Sequence, residues 1–175
     1  MKRFFLLAAL LSAVGLAHAQ HRHVHGEGQL DVAIDRDTLS LDLALPLDAA
    51  VGFERPPKND KEKAALAAAE KALKDTAALW QPSPAANCTA QSVEVRVPFT
   101  GGDDKHGQHA HEGETHHADV EARYVFRCAN PAELKSLETT LFKSFPRLYR
   151  LETQRAGPSG QGAARLTPKK PSLNW

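Results

Sequence analysis

The stretch "QLDVAIDRDTLSLDLALPL", residues 29–47, decides how the rest of the chain is read. Leu30, Val32 and Ile34 alternate with Asp31, Ala33 and Asp35, and after "DRD" Leu39, Leu41, Leu43, Leu45 and Leu47 alternate with mostly polar or small residues. A period of two places one set of side chains on a single face of an extended chain, so each run predicts a strand with one buried face. The short polar break between them predicts a tight hairpin. The expected fold is therefore built on an antiparallel sheet.

Outward from this hairpin the pattern changes. Asn59 stands three residues before Glu62, an Asn-started form of the capping box. The run "KEKAALAAAEKALKDTAALW" (61–80) follows, rich in strong helix formers, with Leu66, Ala69, Leu73, Ala77 and Trp80 on one stripe. Val93, Val95 and Val97 predict a third strand, and Val120, Ala122, Tyr124 and Phe126 a fourth. A second helix is expected from Asn130 as N-cap and Pro131 at N1, with Leu134, Leu137, Leu141 and Phe145 as its apolar stripe and Pro146 as its stop. "RLYRLETQ" (147–154) and "GAARL" (162–166) read as closing strands. The expectation is an α+β single domain: a mainly antiparallel sheet of about five or six strands, two packing helices and a His-rich hairpin loop.

The first residues suggest where the chain is sent. Lys2 and Arg3 precede an apolar run from Phe4 to Ala17, and Ala17-His18-Ala19 supplies an A-x-A cleavage site, the pattern of a secretory signal peptide over residues 1–19. The run is short of the roughly 20 apolar residues that span a bilayer. A mature domain over residues 20–175, located in the periplasm and without stable membrane insertion, is expected. The formal net charge of +1 and the lack of a basic patch argue against nucleic acid as a partner, and a monomer is expected. In an oxidising compartment the two cysteines, Cys88 and Cys128, read as a disulfide, which removes thiolate from the available metal ligands. Pairing them across the strands and matching the valine face to Val120–Phe126 need registers that differ by one residue. Either a bulge or a Cys88 outside the ladder would resolve the conflict.

The remaining signal is histidine. The stretch "TGGDDKHGQHAHEGETHHAD" contains the loop expected over residues 101–118, with His106, His109, His111, His116 and His117 among Asp103, Asp104, Glu112 and Glu114. Neutral imidazole is the commonest zinc ligand and carboxylate can complete a tetrahedral site; copper and nickel suit the same donors. At the mature amino terminus His21, His23 and His25 recur at every second position. In an extended chain they would project to one side, on the face of Asp31 and Asp35 unless Gly26 and Gly28 turn the backbone and break that phase. "HEGETH" (111–116) is not the H-E-x-x-H zinc-protease motif, because its histidines are five apart and a glycine intervenes. No nucleophile elbow, P-loop, dinucleotide fingerprint or P-C-x-x-C is present, so no enzyme is expected.

Several of these segments resemble one family. "HVHGEGQLDVAID" (23–35), "LSLDLALPLDAAVGFERPPKNDKEKAAL" (39–66), the His-rich loop and "GQGAARLTP" (160–168) are similar to the ZrgA-like zinc-uptake proteins, periplasmic zinc-binding proteins of Gram-negative bacteria. The H-x-HG start and the segment Val51, Gly52, Phe53, Glu54 and Pro57 carry the resemblance most specifically. It implies Zn²⁺ binding, with His23 and His25 as ligands supported by the loop histidines. It also implies a role in zinc acquisition that feeds or assists an ABC-type importer or its binding protein. Copper or nickel buffering, or an envelope interaction domain with incidental histidines, are the alternatives.

Overall fold

The two alternating runs at 30–34 and 39–47 pair as expected. A computed structural model describes residues 24–100 and 118–175. In it, β1 (Glu27–Asp35) and β2 (Thr38–Pro46) form an antiparallel hairpin in which Leu30, Val32 and Ile34 face Leu43, Leu41 and Leu39. The turn has Arg36 in the left-handed region, at φ 53°. It is tied down from the far side of β2: Cys128 donates its amide to the Asp37 carbonyl at 2.7 Å, and Arg127 donates to the Asp37 carboxylate at 2.5 Å.

β2 is the pivot of the sheet. On its other side it pairs antiparallel with β5 (Asp119–Cys128), which sets Leu39, Leu41, Leu43 and Leu45 against Phe126, Tyr124, Ala122 and Val120. β4 (Cys88–Arg96) lies outside β5, while β7 (Arg150–Gly157) and β8 (Gly160–Leu166) extend the sheet beyond β1, in the order β4-β5-β2-β1-β7-β8. Every pairing is antiparallel except that of β1 with β7. The strand-register conflict resolves through a bulge. Cys88 sits opposite Cys128 and Ala90 opposite Phe126, but Ser92 faces Val125, so Gln91 is the extra residue. Cys88 and Cys128 are disulfide-bonded.

One face of this sheet is buried. Over it lie α2 (Asp60–Lys74), which buries Leu66, Ala69 and Leu73, the short helix α3 (Thr76–Leu79), and a small sheet of β3 (Trp80–Pro82), β6 (Ser136–Thr139) and β9 (Ser172–Asn174). Tyr124 links the layers: its hydroxyl donates to the Leu73 carbonyl at 2.9 Å and its ring meets Trp80 edge-on, and burial raises its pKa. The helix expected over 61–80 breaks at Asp75, whose side chain accepts from the Ala78 amide. The break moves the stripe by one residue, so Thr76 and Leu79 are buried and Ala77 is exposed.

The helix expected over 130–145 does not form as one element. Pro131–Glu133 make a single 3₁₀ turn, β6 follows, and only α4 (Leu141–Ser144) is helical. Asn130 makes no capping bond and instead donates its side-chain amide to the Ala85 carbonyl. The Ser83 hydroxyl accepts from the amides of Lys135 and Ser136 at 2.9 and 2.8 Å, which fixes the chain as it enters β6. Leu137 and Thr139 then point inward with the period of a strand, between β3 and β9. The β-branched Thr139 and Thr140 favour that outcome over helix.

The disulfide closes a sequence separation of 40 residues at the base of the β4–β5 hairpin. Chain-entropy arguments give such a link about 3–4 kcal/mol of stability. The Cys88→Ser/Cys128→Ser variant is expected to lose about that amount in urea unfolding, with the far-ultraviolet spectrum of the folded state unchanged.

Candidate metal centre

His25 reaches its position because Gly26 allows the chain to turn just before β1. A bend across Val24–Glu27 is closed by the Glu27 amide donating to the Val24 carbonyl at 3.0 Å. Gly26 has φ +73°, and a Cβ there would lie within 2.8 Å of the Tyr149 ring and the Arg147 carbonyl. Gly28 lets the strand pass Leu45 and Leu151, which a Cβ would meet at 2.5 and 2.8 Å. The turn at Gly26 breaks the strand phase, while Gly28 continues the buried face of Leu30 and Val32. His25 does not continue the face of Asp31 and Asp35 but turns towards the far end of β2.

At that end the alternation of β2 also stops. Pro46 pairs with Asp119, the Leu47 amide donates to the Ala118 carbonyl at 2.9 Å, and α1 (Leu47–Val51) begins. Leu47 and Ala49 are buried, which leaves Asp48 at the rim. Gly52 ends the helix at φ +90°, its amide donating to the Asp48 carbonyl at 2.8 Å. Its missing side chain leaves room for the Arg147 guanidinium, whose Cζ a Cβ would approach to 2.9 Å. Phe53 is half-buried beneath the Arg55 guanidinium at 5.2 Å. Arg55 in turn donates twice to the Glu62 carboxylate, at 2.7 and 2.9 Å. Glu62 also accepts from the Lys58 amide, while its own amide donates to the Asn59 side chain. The helix cap of α2 therefore anchors the loop that carries Glu54. The Arg55 guanidinium, with the Lys58 amide second, holds the Glu62 carboxyl down at about 2.

Three ligating groups converge between these two segments. His25 Nδ1 lies 2.9 Å from Asp48 Oδ2 and 3.6 Å from Glu54 Oε1, and one ligand atom of each residue falls within 4.8 Å of the other two. The imidazole is 73% exposed, whereas the two carboxylates are 24% and 18% exposed. Asp48 Oδ1 is buried and makes no hydrogen bond among the described residues, an unmet acceptor of the sort a cation satisfies. One nitrogen and two carboxylate oxygens are the donors zinc accepts, and three protein ligands leave a fourth tetrahedral position open.

A concavity of about 420 Å³ lies on the exposed face of the main sheet, lined by Asp31, Asp42, Glu94, Arg96, Glu121 and Arg123 among others. Arg123 pairs there with Asp42, and Arg96 with Glu121, which leaves the carboxylates of Asp31 and Glu94 in excess.

Of the residues named from sequence, His25 is thus brought to a ligand cluster. His21 and His23, and the loop residues His106, His109, His111, His116 and His117, lie outside the described residues. Ala118, the first described residue after the loop, bonds to the residue that precedes Asp48. Sequence reasoning missed Asp48 and Glu54. The signal was there as two lone acids in the otherwise apolar run Leu45–Phe53 and just beyond it, where strand alternation fails.

A sequence model described as ZrgA family zinc uptake protein matches residues 22–175. A comparison with curated proteins gave no match.

Because its folded pKa is depressed, the Glu62 carboxylate adds stability above its unfolded value near 4.5 and loses it as pH falls through about 2. Carboxyl titration followed by NMR is expected to place Glu62 near 2, and Arg55→Ala to move it back towards 4.5.

Proposed function

The chain belongs to the ZrgA family of zinc uptake proteins, and from that premise we propose that it captures Zn²⁺ in the periplasm and passes it to an uptake system. The capturing ligands in this reading are His25, Asp48 and Glu54. His21 and His23, from the same amino-terminal run, and the loop histidines His106, His109, His111, His116 and His117 serve as additional donors.

One observation carries the proposal. The two segments that most specifically carry the family resemblance, H-x-HG and Val51-Gly52-Phe53-Glu54, are separated in sequence yet meet in space, with His25 and Glu54 at 3.6 Å. Each glycine of the two segments has a local reason to be there, and together these reasons aim a ligand from each segment at one point. An exposed imidazole with two carboxylates and no thiolate allows ligands to exchange, which delivery requires. Among the described residues no helix is long and apolar enough to cross a membrane, and the disulfide fits an oxidising compartment. An ABC-type importer or its binding protein is the proposed recipient.

The donors would also accept copper or nickel, and copper outcompetes zinc at most nitrogen and oxygen sites. Metal competition on the purified protein, with expression measured under zinc starvation, separates zinc uptake from copper or nickel buffering.

Calorimetric titration with Zn²⁺ tests the ligand assignment. His25→Ala and Asp48→Asn are each expected to weaken binding by about tenfold or more, as loss of one ligand from a small set would. Deleting residues 103–117 is expected to lower the stoichiometry and leave the site at His25 intact. Because the donors must be deprotonated, affinity should be lower at pH 5 than at pH 7.5. Equal affinities at the two pH values, or unchanged binding in the His25 and Asp48 variants, would remove these residues from the site.

A further inference from the structure

β1 runs from the His25 turn to Asp35, and a further concavity of about 300 Å³ lies at its far end. Its apolar lining comes from Ile34 of β1, Pro131 and Leu134 after β5, Pro158 of the β7–β8 turn, and Trp175. Arg36, Lys135 and Ser159 line it as well, and no acidic side chain does. Each wall is fixed by contacts of its own. Asp37, beside Arg36, accepts from the Cys128 amide and from Arg127. Asn130, before Pro131, donates its amide to the Ala86 carbonyl and its side chain to the Ala85 carbonyl. The Trp175 amide donates to the Lys135 carbonyl at 3.1 Å. The Arg155 guanidinium lies 5.7 Å from the Trp175 ring centre and donates to Ser159 Oγ at 2.9 Å and the Gly160 carbonyl at 3.1 Å. A concavity whose walls are already ordered needs little rearrangement to take a ligand.

The polar groups around this hollow share one sign. The side chains of Arg36 and Lys135 make no hydrogen bond or ion pair with a described residue. Ser159 Oγ already accepts from Arg155, so its own hydrogen stays available to donate. Arg36 also stands where a glycine would be unstrained. It is the first residue of the two-residue turn between the paired Asp35 and Thr38, and it has φ 53° whereas Asp37 does not enter the positive-φ region. That is the pattern of a II′ turn, which favours glycine at this position. The turn therefore presents a guanidinium at a place where the backbone alone would favour no side chain.

We propose that this concavity binds a small apolar carboxylate, a single ring or branched chain that bears one carboxylate group. Arg36 and Lys135 would hold the carboxylate, with the Ser159 hydroxyl donating beside them. Ile34, Leu134 and Trp175 would cover the apolar body. The volume stands at the lower limit of ordinary ligand pockets, which selects for a small body. The site is independent of the zinc reading: it lies at the other end of β1 and shares no residue with His25, Asp48 and Glu54.

Phenylacetate serves as the probe, titrated into the purified protein and followed by NMR of the backbone amides and the indole groups. Saturable shifts are expected at the Arg36 and Lys135 amides and at the Trp175 indole. Phenylacetamide, which has nearly the same shape without the charge, should bind about tenfold or more weakly, the effect of losing charge-assisted hydrogen bonds. Arg36→Gly should weaken phenylacetate binding to a similar degree. Its thermal midpoint should stay the same or rise, because glycine suits the turn, which separates loss of the cation from loss of the fold. Lys135→Gln should weaken binding by about threefold or more. Equal affinity for the acid and the amide, unchanged affinity in Arg36→Gly, shifts centred elsewhere, or no saturation up to about 10 mM would each overturn the proposal. Phenyl phosphate binding about tenfold more tightly than phenylacetate would assign the site to phosphate. An acetylated tripeptide ending in phenylalanine that did so would assign it to a peptide carboxyl terminus, and either result overturns the small-carboxylate assignment.

Discussion

The phase of a single strand governs the structure. β2 is paired along its length on both sides, so the inward set Leu39, Leu41, Leu43 and Leu45 dictates which residues of β1 and β5 can face the core. A slip of one residue would turn Asp42 inward and expose four leucines. With each buried leucine contributing about 1.5–3 kcal/mol, no alternative register competes. The one place where phase and covalent chemistry disagree, between the disulfide and the valine face of β4, is absorbed by the extra residue at Gln91 and leaves β5 undisturbed.

The candidate metal cluster of His25, Asp48 and Glu54 arises where this regularity is interrupted. At one edge Gly26 turns the chain out of β1, and at the other Pro46 and Gly52 bracket a helix too short to do more than present Asp48 and release the chain towards Glu54. Arg147 connects the two interruptions, with its carbonyl beside Gly26 and its guanidinium beside Gly52. Glu54 is held from behind by the pair of Arg55 with Glu62, so the helix cap of α2 contributes to the geometry of a cluster it does not touch. The carboxylates are thereby kept half-buried and fixed, while the imidazole stays accessible to solvent.

Much of this is legible from the residues. The hairpin, the sheet strands, the Asn59 cap and the Cys88–Cys128 pairing follow from local patterns that tertiary contacts reinforce. The segment from Asn130 to Phe145 misleads because leucines three and four apart satisfy a helical stripe, while Leu137 and Thr139 also satisfy a strand. Neighbouring backbone from β3 and β9 decides between them, and nothing local reports it. Asp48 and Glu54 stayed hidden for a related reason. Their meeting with His25 depends on a turn at Gly26 and on packing against Arg147, which lie far apart in the sequence. The resemblance pointed to the segment that contains Glu54 without giving that residue a task.

The parallel pairing of β1 with β7 has a temporal consequence. β1 lies inside the sheet, yet its outer neighbour is made of residues 150–157, with β8 still to follow. The amino-terminal half can form its β1–β2 hairpin early but has no complete sheet to join until nearly the whole chain is present. Pairings between segments this distant are slow to close. A polypeptide with such a strand order cannot complete its main sheet until the residues from 150 onward are available, so the commitment to this fold comes late in the making of the chain.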